Sequence, residues 1–296
     1  MEAGAVFTGG KPVRLGIIGC GNMGGAIARG IVKEAALAAS FALSAYDPGE
    51  RARASMRDSG IRLAGSAAEL AREADMIIVA VKPHYVAGVL AEIAPSLAGP
   101  KDGAGAFEGR FLVSIAAGIT LDALRKGVGG TCAVARVMPN TLVEVGRGLF
   151  GLCPDPRSPA PEAAQAALRF LLSGLGQVVD LDESRMNAFT ALAGSGPAYV
   201  FHFMDSLAEA GVSVGLTRES SRMIALGLVR GCAALAEATG EHPAVLREQV
   251  SSPAGTTIAA LNHLDRTGTR GHLIDAALAA LPLSLSPTCR CRRPPP

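Results

Sequence analysis

The sequence predicts an α/β protein: a doubly wound parallel sheet followed by an all-helical domain. Three observations carry that reading. Leu15 to Ile18 is a short apolar run that breaks into Gly19-Cys20-Gly21-Asn22-Met23-Gly24, and an Ala/Ile-rich helical pattern follows. Apolar strands then alternate with helical stretches as far as residue 180, the arrangement of a parallel sheet covered on both faces. Beyond Asp182 the pattern is helical nearly throughout, with small residues such as Ala191, Ala198, Ala208 and Ala225 on its apolar faces, which suits closely packed helices.

The elements follow in order. Residues 1–12 read as a flexible leader and 13–180 as the sheet domain. The first strand spans about 13–19 and its helix about 22–37. Phe41 to Ala45 is a second strand ending at Tyr46-Asp47-Pro48, where Pro48 starts the next helix, and 60–64 form a brief third strand. Asp75 to Val81 is a continuous apolar strand buried on both faces. Lys82-Pro83-His84 ends it and a helix runs to about residue 96. Residues 99–109 are a Gly/Ala-rich loop. Phe111 to Ala116 is a strand ending at Ala117-Gly118, with a helix from Thr120. Thr131 to Val137 is another, closing on Met138-Pro139-Asn140. A helix over about 159–174 and a strand over about 175–180 finish the domain. Residues 181–280 form the helical domain, with breaks at Gly194 to Pro197, Gly211 to Thr217, Gly240 to Pro243 and Ser251 to Gly255. Its apolar surface is large for its length, which favours oligomerisation. The Pro-rich, basic stretch 281–296 has no periodicity and reads as disordered.

A strand, a glycine turn and a helix form a dinucleotide-phosphate site. Gly19 permits the tight turn, Gly21 lets a pyrophosphate approach the backbone, and Gly24 lets helix and strand lie close. The amides of Asn22 and Met23 at the helix start face the phosphates. Val81-Lys82-Pro83, Ala116-Ala117 and Asn140 fall at the carboxyl ends of strands, where an open α/β sheet binds its ligand. Asp47 stands where an acid binds the adenosine ribose hydroxyls of NAD. It equally suits a helix N-terminus ahead of Pro48, and Arg51 and Arg53 suit a 2′-phosphate, so the sequence leaves NADH and NADPH both open.

Composition excludes other classes. A formal charge of +2, no Trp and no interleaving of basic with aromatic residues argue against nucleic acid. The apolar runs are too short for a membrane span and the N-terminus lacks a signal-peptide pattern, so a cytoplasmic protein is expected. None of the six cysteines forms a CxxC pair or stands at zinc-ligand spacing from a histidine, so no metal site is expected. Cys20 and Cys132 read as small packing residues in a reducing compartment.

Several motifs together resemble the pyrroline-5-carboxylate reductase family. They are the Gly19–Gly24 turn with Met23, Val79-Ala80-Val81-Lys82-Pro83, Ser114 to Gly118, Arg136 to Asn140, Leu192 to Tyr199 and Val250 to Thr257, in order and spacing from about residue 13 to 275. The resemblance implies a Rossmann-type domain followed by an all-α dimerisation domain. It also implies NADPH- or NADH-dependent reduction of the cyclic imine 1-pyrroline-5-carboxylate to L-proline, the last step of proline biosynthesis. The active site would lie between the domains of a homodimer, with larger rings built from dimers as a further form. By resemblance, Lys82, Pro83 and Ala117 lie along the nicotinamide side of the cofactor, with Asn140 near it.

Ser252, Ala254, Gly255, Thr256 and Thr257 form the expected substrate loop. Their hydroxyls and outward amides at a helix start suit a carboxylate, and the resemblance implies that Thr257, the expected catalytic residue, hydrogen-bonds the ring nitrogen. Read without the family, a Ser or Thr in this place is an ordinary N-cap. Two departures stand out. The family usually carries Gly-Gly where this chain has Ala254-Gly255, and its final helix continues where this chain turns at Leu281 into the basic tail. Two other readings stay open: a different two-domain imine or hydroxyacid reductase, and a non-catalytic dinucleotide-binding regulator. Against the hydroxyacid class, which places a catalytic Lys in its helical domain, no Lys follows Lys126.

Overall fold

The computed structural model describes residues 11–98 and 105–281. Most of the expected leader, most of the expected tail and part of the Gly/Ala-rich loop lie outside those residues. The described chain divides into two compact units, the boundary falling between Gly194 and Ser195.

The first unit is an eight-stranded sheet in the order β3-β2-β1-β4-β5-β6-β7-β8. It is built from β1 (Val13–Ile18), α1 (Asn22–Lys33), α2 (Ala35–Ser40), β2 (Phe41–Tyr46), α3 (Glu50–Asp58), β3 (Arg62–Leu63), α4 (Ala67–Glu73) and β4 (Met76–Val79). It continues through α5 (Pro83–Ala98), β5 (Phe111–Ser114), α6 (Leu121–Gly127), β6 (Ala133–Met138), β7 (Gly148–Pro154), α7 (Glu162–Leu175), β8 (Gly176–Asp180) and α8 (Met186–Phe189). Strands β1 to β6 are parallel, as expected. Strand β7 runs antiparallel to β6 and pairs in parallel with β8.

Both faces are apolar for the reason the unbroken hydrophobic strands suggest. Met76 and Ile78 of β4 face one core with Leu15, Ile17, Ile27 and Phe111, while Ile77 and Val79 face the other with Leu70, Leu90, Leu112 and Leu124. Helix α7 buries Ala164, Ala167, Leu168, Leu171, Leu172 and Leu175; this three-four spacing is one helical stripe. Each of the larger side chains contributes roughly 2 kcal/mol by leaving water. Asp75, fully buried, ties the start of β4 to β1 by accepting from the Arg14 main-chain N–H at 3.1 Å and from its guanidinium at 2.8 Å.

Several boundaries differ from the sequence reading. The expected 22–37 helix is two helices, because Glu34 turns extended (φ −90°, ψ 109°) and its N–H closes α1 on the Gly30 carbonyl. Pro48 precedes rather than starts α3, whose N-cap is Gly49. Strand β7, absent from the sequence reading, is buried along most of its length and so lacks the alternation of a half-exposed strand.

The second unit contains α9 (Gly196–Ser213), α10 (Arg218–Thr239), α11 (Pro243–Gln249), α12 (Thr256–Arg266) and α13 (Thr269–Ala279). Its helices bury almost nothing within the single chain: Ala208 on α9, Ser221 and Ala225 on α10, and no residue on α11 to α13. Phe201, Phe203, Met223, Leu226, Leu228 and Leu235 stay exposed. A helical unit with so little interior does not offset its own ordering entropy, so a partner surface is needed to cover it. Among the described residues no single helix is long and apolar enough to cross a membrane.

Candidate active site

The strand order reverses between β1 and β4, with β2 and β3 to one side and β5 onward to the other. The crevice at the carboxyl ends of these two strands is where doubly wound sheets bind ligands. Gly19 ends β1 with φ +97°, and its N–H donates to the Tyr46 carbonyl at 2.8 Å. A Cβ there would meet the Ala80 backbone and Val81 Cγ1 at 2.8 Å, and one on Gly24 would lie 2.0 Å from the Gly19 oxygen. Both glycines are therefore required by the close passage of turn, helix and β4. Gly21, the N-cap of α1, has open space where a side chain would stand and supplies no side-chain cap. The amides of Asn22, Met23 and Gly24 are left for an outside acceptor. This cradle fits a pyrophosphate.

Asp47 lies just beyond β2, half-buried. Its Oδ2 accepts from the Cys20 N–H and its Oδ1 from the Gly49 N–H, both at 2.7 Å. The carboxylate thus joins the glycine turn to the entry of α3. Cys20 is buried beneath it, and burial together with the Asp47 charge pushes its thiol up to about 12.

The other expected cofactor residues line the same strand ends. Val81 is half-buried against Gly19, Lys82 is exposed, and Pro83 opens α5. Ala116 is buried, its N–H donating to Ser114 Oγ at 3.3 Å, while Ala117 is exposed beside Gly118 at φ +76°. Asn140 is only 2% exposed. Its Oδ1 accepts from the N–H groups of Leu142 (3.3 Å) and Leu149 (3.1 Å), and its Nδ2 donates to the Ala193 carbonyl at 3.0 Å. Its side chain therefore stitches the end of β6 to β7 and to Thr190–Gly194, a π-helical turn of a kind frequent at functional sites.

Two supports were not legible in the sequence. Glu183 Oε1 accepts from the Leu121 N–H at 2.6 Å and from the Arg136 guanidinium at 2.9 Å, tying the helix after Ala117-Gly118 to β6. Both links span more than forty residues, and no local pattern announces them.

In the helical unit, Ser252-Pro253-Ala254-Gly255 is a β-turn closed by the Gly255 N–H on the Ser252 carbonyl at 3.1 Å. Pro253 precedes Ala254 at φ +56°, the sign a type II turn demands at that position. A Cβ on Gly255 would stand 2.3 Å from Ser252 Oγ. The N-cap of α12 is Gly255, without a side-chain cap. The hydroxyls of Ser252, Thr256 and Thr257 are thus not used as the N-cap, and the first amides of α12 have no capping side chain. The turn presents amides and hydroxyls together, a set suited to a small carboxylate.

A family model described as NADP oxidoreductase, coenzyme F420-dependent, matches residues 14–118, and one described as pyrroline-5-carboxylate reductase dimerisation matches 183–284. The pyrroline-5-carboxylate reductase of Escherichia coli is 37% identical over 264 residues, 89% of this chain and 94% of that protein. That of Arabidopsis thaliana is 34% identical over 267 residues, 90% and 92% of the two. A crystal structure of Plasmodium falciparum pyrroline carboxylate reductase with NADP bound superposes with a TM-score of 0.78 at 29% identity, covering 91% of this chain and 95% of that one. With a glycine turn at the sheet's switch point, and relatives 34% and 37% identical over 90% and 89% of its length, the chain belongs to the pyrroline-5-carboxylate reductase family.

Proposed function

We propose that the protein reduces 1-pyrroline-5-carboxylate to L-proline with NADH or NADPH, as the last step of proline biosynthesis. The observation that carries the reading is the Ser252–Thr257 turn, with its uncapped helix start, in a chain of this family.

Gly19, Gly21, Asn22, Met23 and Gly24 hold the pyrophosphate through main-chain amides, and Asp47 lies at the ribose end. Val81, Lys82, Pro83, Ala116 and Ala117 line the nicotinamide end. Asn140 acts there through the backbone it fixes. The bound dihydronicotinamide supplies the hydride. The chain's own residues orient and shield. The amides of Thr256 and Thr257 and the Ser252 hydroxyl hold the imine's carboxylate, and the Thr257 hydroxyl accepts from the protonated ring nitrogen. That protonated imine is already electrophilic at carbon, so positioning is the main demand on the protein. This agrees with the solvent-facing salt bridge from Glu209 to Arg218, whose hydrogen bond lowers that carboxyl's pKa from its ordinary value and leaves it a poor proton donor.

The helical unit makes the dimer, supported by its exposed apolar helices and the dimerisation-domain match. Larger rings are part of the proposal, because Leu273, Ile274 and Leu278 on α13 offer further apolar surface. A cytoplasmic setting is supported by Cys20, Cys132, Cys153 and Cys232, all free thiols. The test is oxidation of each dihydronicotinamide cofactor by purified dimer, with and without the imine, and product identification by amino-acid analysis. Turnover to proline is expected. A folded dimer that binds cofactor and forms no proline refutes the proposal.

A further inference from the structure

The charge arrangement around the glycine turn bears on which dinucleotide it takes. Asp47 stands at the carboxyl end of β2, next to β1 in the sheet. Both of its oxygens are anchored at 2.7 Å by main-chain amides, Cys20 from the turn and Gly49 from the entry of α3. Bonds of this kind to a carboxylate are short and strong, so the charge cannot rotate away from an arriving ligand. Each oxygen still has a lone pair to offer. A ribose 2′-hydroxyl can donate to it. A 2′-phosphate, which brings a charge of about −1.5 to −2 near neutral pH, cannot.

Two of the three arginines on α3 already face a carboxylate. On α3, Arg53 lies 2.9 Å from Glu50 in an i,i+3 pair, and Arg57 approaches the same carboxylate at 3.8 Å. Arg51 is exposed on the same helix and is the rival residue for a phosphate.

We infer that this chain selects NADH over NADPH, with the anchored Asp47 carboxylate as the selecting group. The inference rests on Gly19–Gly24 being the cofactor turn. Two like charges in this half-buried setting correspond to a preference of about tenfold or more. The Cys20 thiol, held un-ionised partly by Asp47, is a second sign that this charge is felt across the turn.

The test is direct binding to the full-length dimer, read from nicotinamide fluorescence as NADH and NADPH are titrated separately, so that it does not depend on turnover. The expected result is NADH binding about tenfold tighter or more. In Asp47→Asn, which keeps one acceptor for the turn, the gap narrows, chiefly because NADPH binds better. In Arg51→Ala the ratio of the two dissociation constants stays as in the parent. Equal or tighter NADPH binding by the parent protein overturns the inference, as does an unchanged ratio in Asp47→Asn or a selective loss of NADPH in Arg51→Ala. If Asp47→Asn does not fold, the parent protein and Arg51→Ala still decide the matter. Binding of neither cofactor by folded parent dimer overturns the assignment of the turn itself, a different result from binding with the wrong preference.

Discussion

Replacing Ala254 by Gly should make the protein more stable, although it removes a methyl group. Ala254 is the one non-glycine residue with positive φ among the described residues, at +56°. A left-handed backbone brings Cβ against the following carbonyl and costs an L-residue about 1–2 kcal/mol. Glycine escapes that cost but loses more chain entropy on folding, about 0.4–1 kcal/mol. The methyl is exposed in the single chain, so no buried contact within it is lost. The balance is a gain of roughly 1 kcal/mol for Ala254→Gly, or about 2–4 °C in Tm for a chain of this size. The assay is urea denaturation at fixed protomer concentration, because dimer stability depends on it. The midpoint should rise with an unchanged slope. Ala254→Val, with a β-branched side chain in the same conformation, should fall below the parent. A Gly variant less stable than the parent, or a neutral Val variant, would refute the left-handed assignment and with it the type II turn proposed to hold the substrate.

Gly24→Ala places a methyl 2.0 Å from the Gly19 oxygen; the turn must open, and cofactor affinity in a fluorescence titration should fall by roughly a hundredfold or more. Asn140→Ala strands two buried amides and the Ala193 carbonyl, and urea unfolding should show a loss of about 2–4 kcal/mol. Asn140→Asp restores the acceptor but faces a carbonyl with a second acceptor, so it should not recover full stability. Cys20 and Cys132 are both pushed up to about 12, burial being the main cause. Their thiols should resist alkylation at pH 8 in the native protein and react on unfolding, as peptide mapping would show. The sign of the linked stability follows. Unfolded thiols ionise near pH 9 while the folded ones do not, so both groups favour unfolding as pH rises from about 9 toward 12 and have no effect below it.

What was legible in the sequence was the part set by local pattern. The apolar run Met76 to Val79 reads as a strand buried on both faces because nothing in it tolerates water, and the structure divides its side chains between two cores. The glycine turn is readable because Gly19 and Gly24 are both forced: the first by φ +97°, the second by a contact that no side chain survives. Strand β7 was not legible. Its apolar residues alternate with nothing polar, and Gly151 interrupts them, so periodicity gives no signal. Its pairing with β6 reverses the direction of the sheet, which only the tertiary structure determines.

The site residues divide along the same line, and Asn140 shows why. Its position after a strand marks it as a candidate ligand contact, and position is all that a sequence supplies. The structure shows both ends of its amide engaged, by Leu142, Leu149 and Ala193, at separations from two to fifty-three residues. Asp47 is the converse case. Its position also marked it, and both oxygens are again engaged, but by amides of the turn itself and the neighbouring helix entry. An amide side chain with three bonds at 2% exposure has little left to offer a ligand. A half-buried carboxylate with one bond on each oxygen keeps both a lone pair and a full charge. Two polar residues at strand ends therefore differ in what they keep: the Asn140 amide is consumed in tying main chain together, while Asp47 retains a charge and free lone pairs, which is the basis of the cofactor preference inferred above. The difference lies in how many lone pairs and protons the fold has already used.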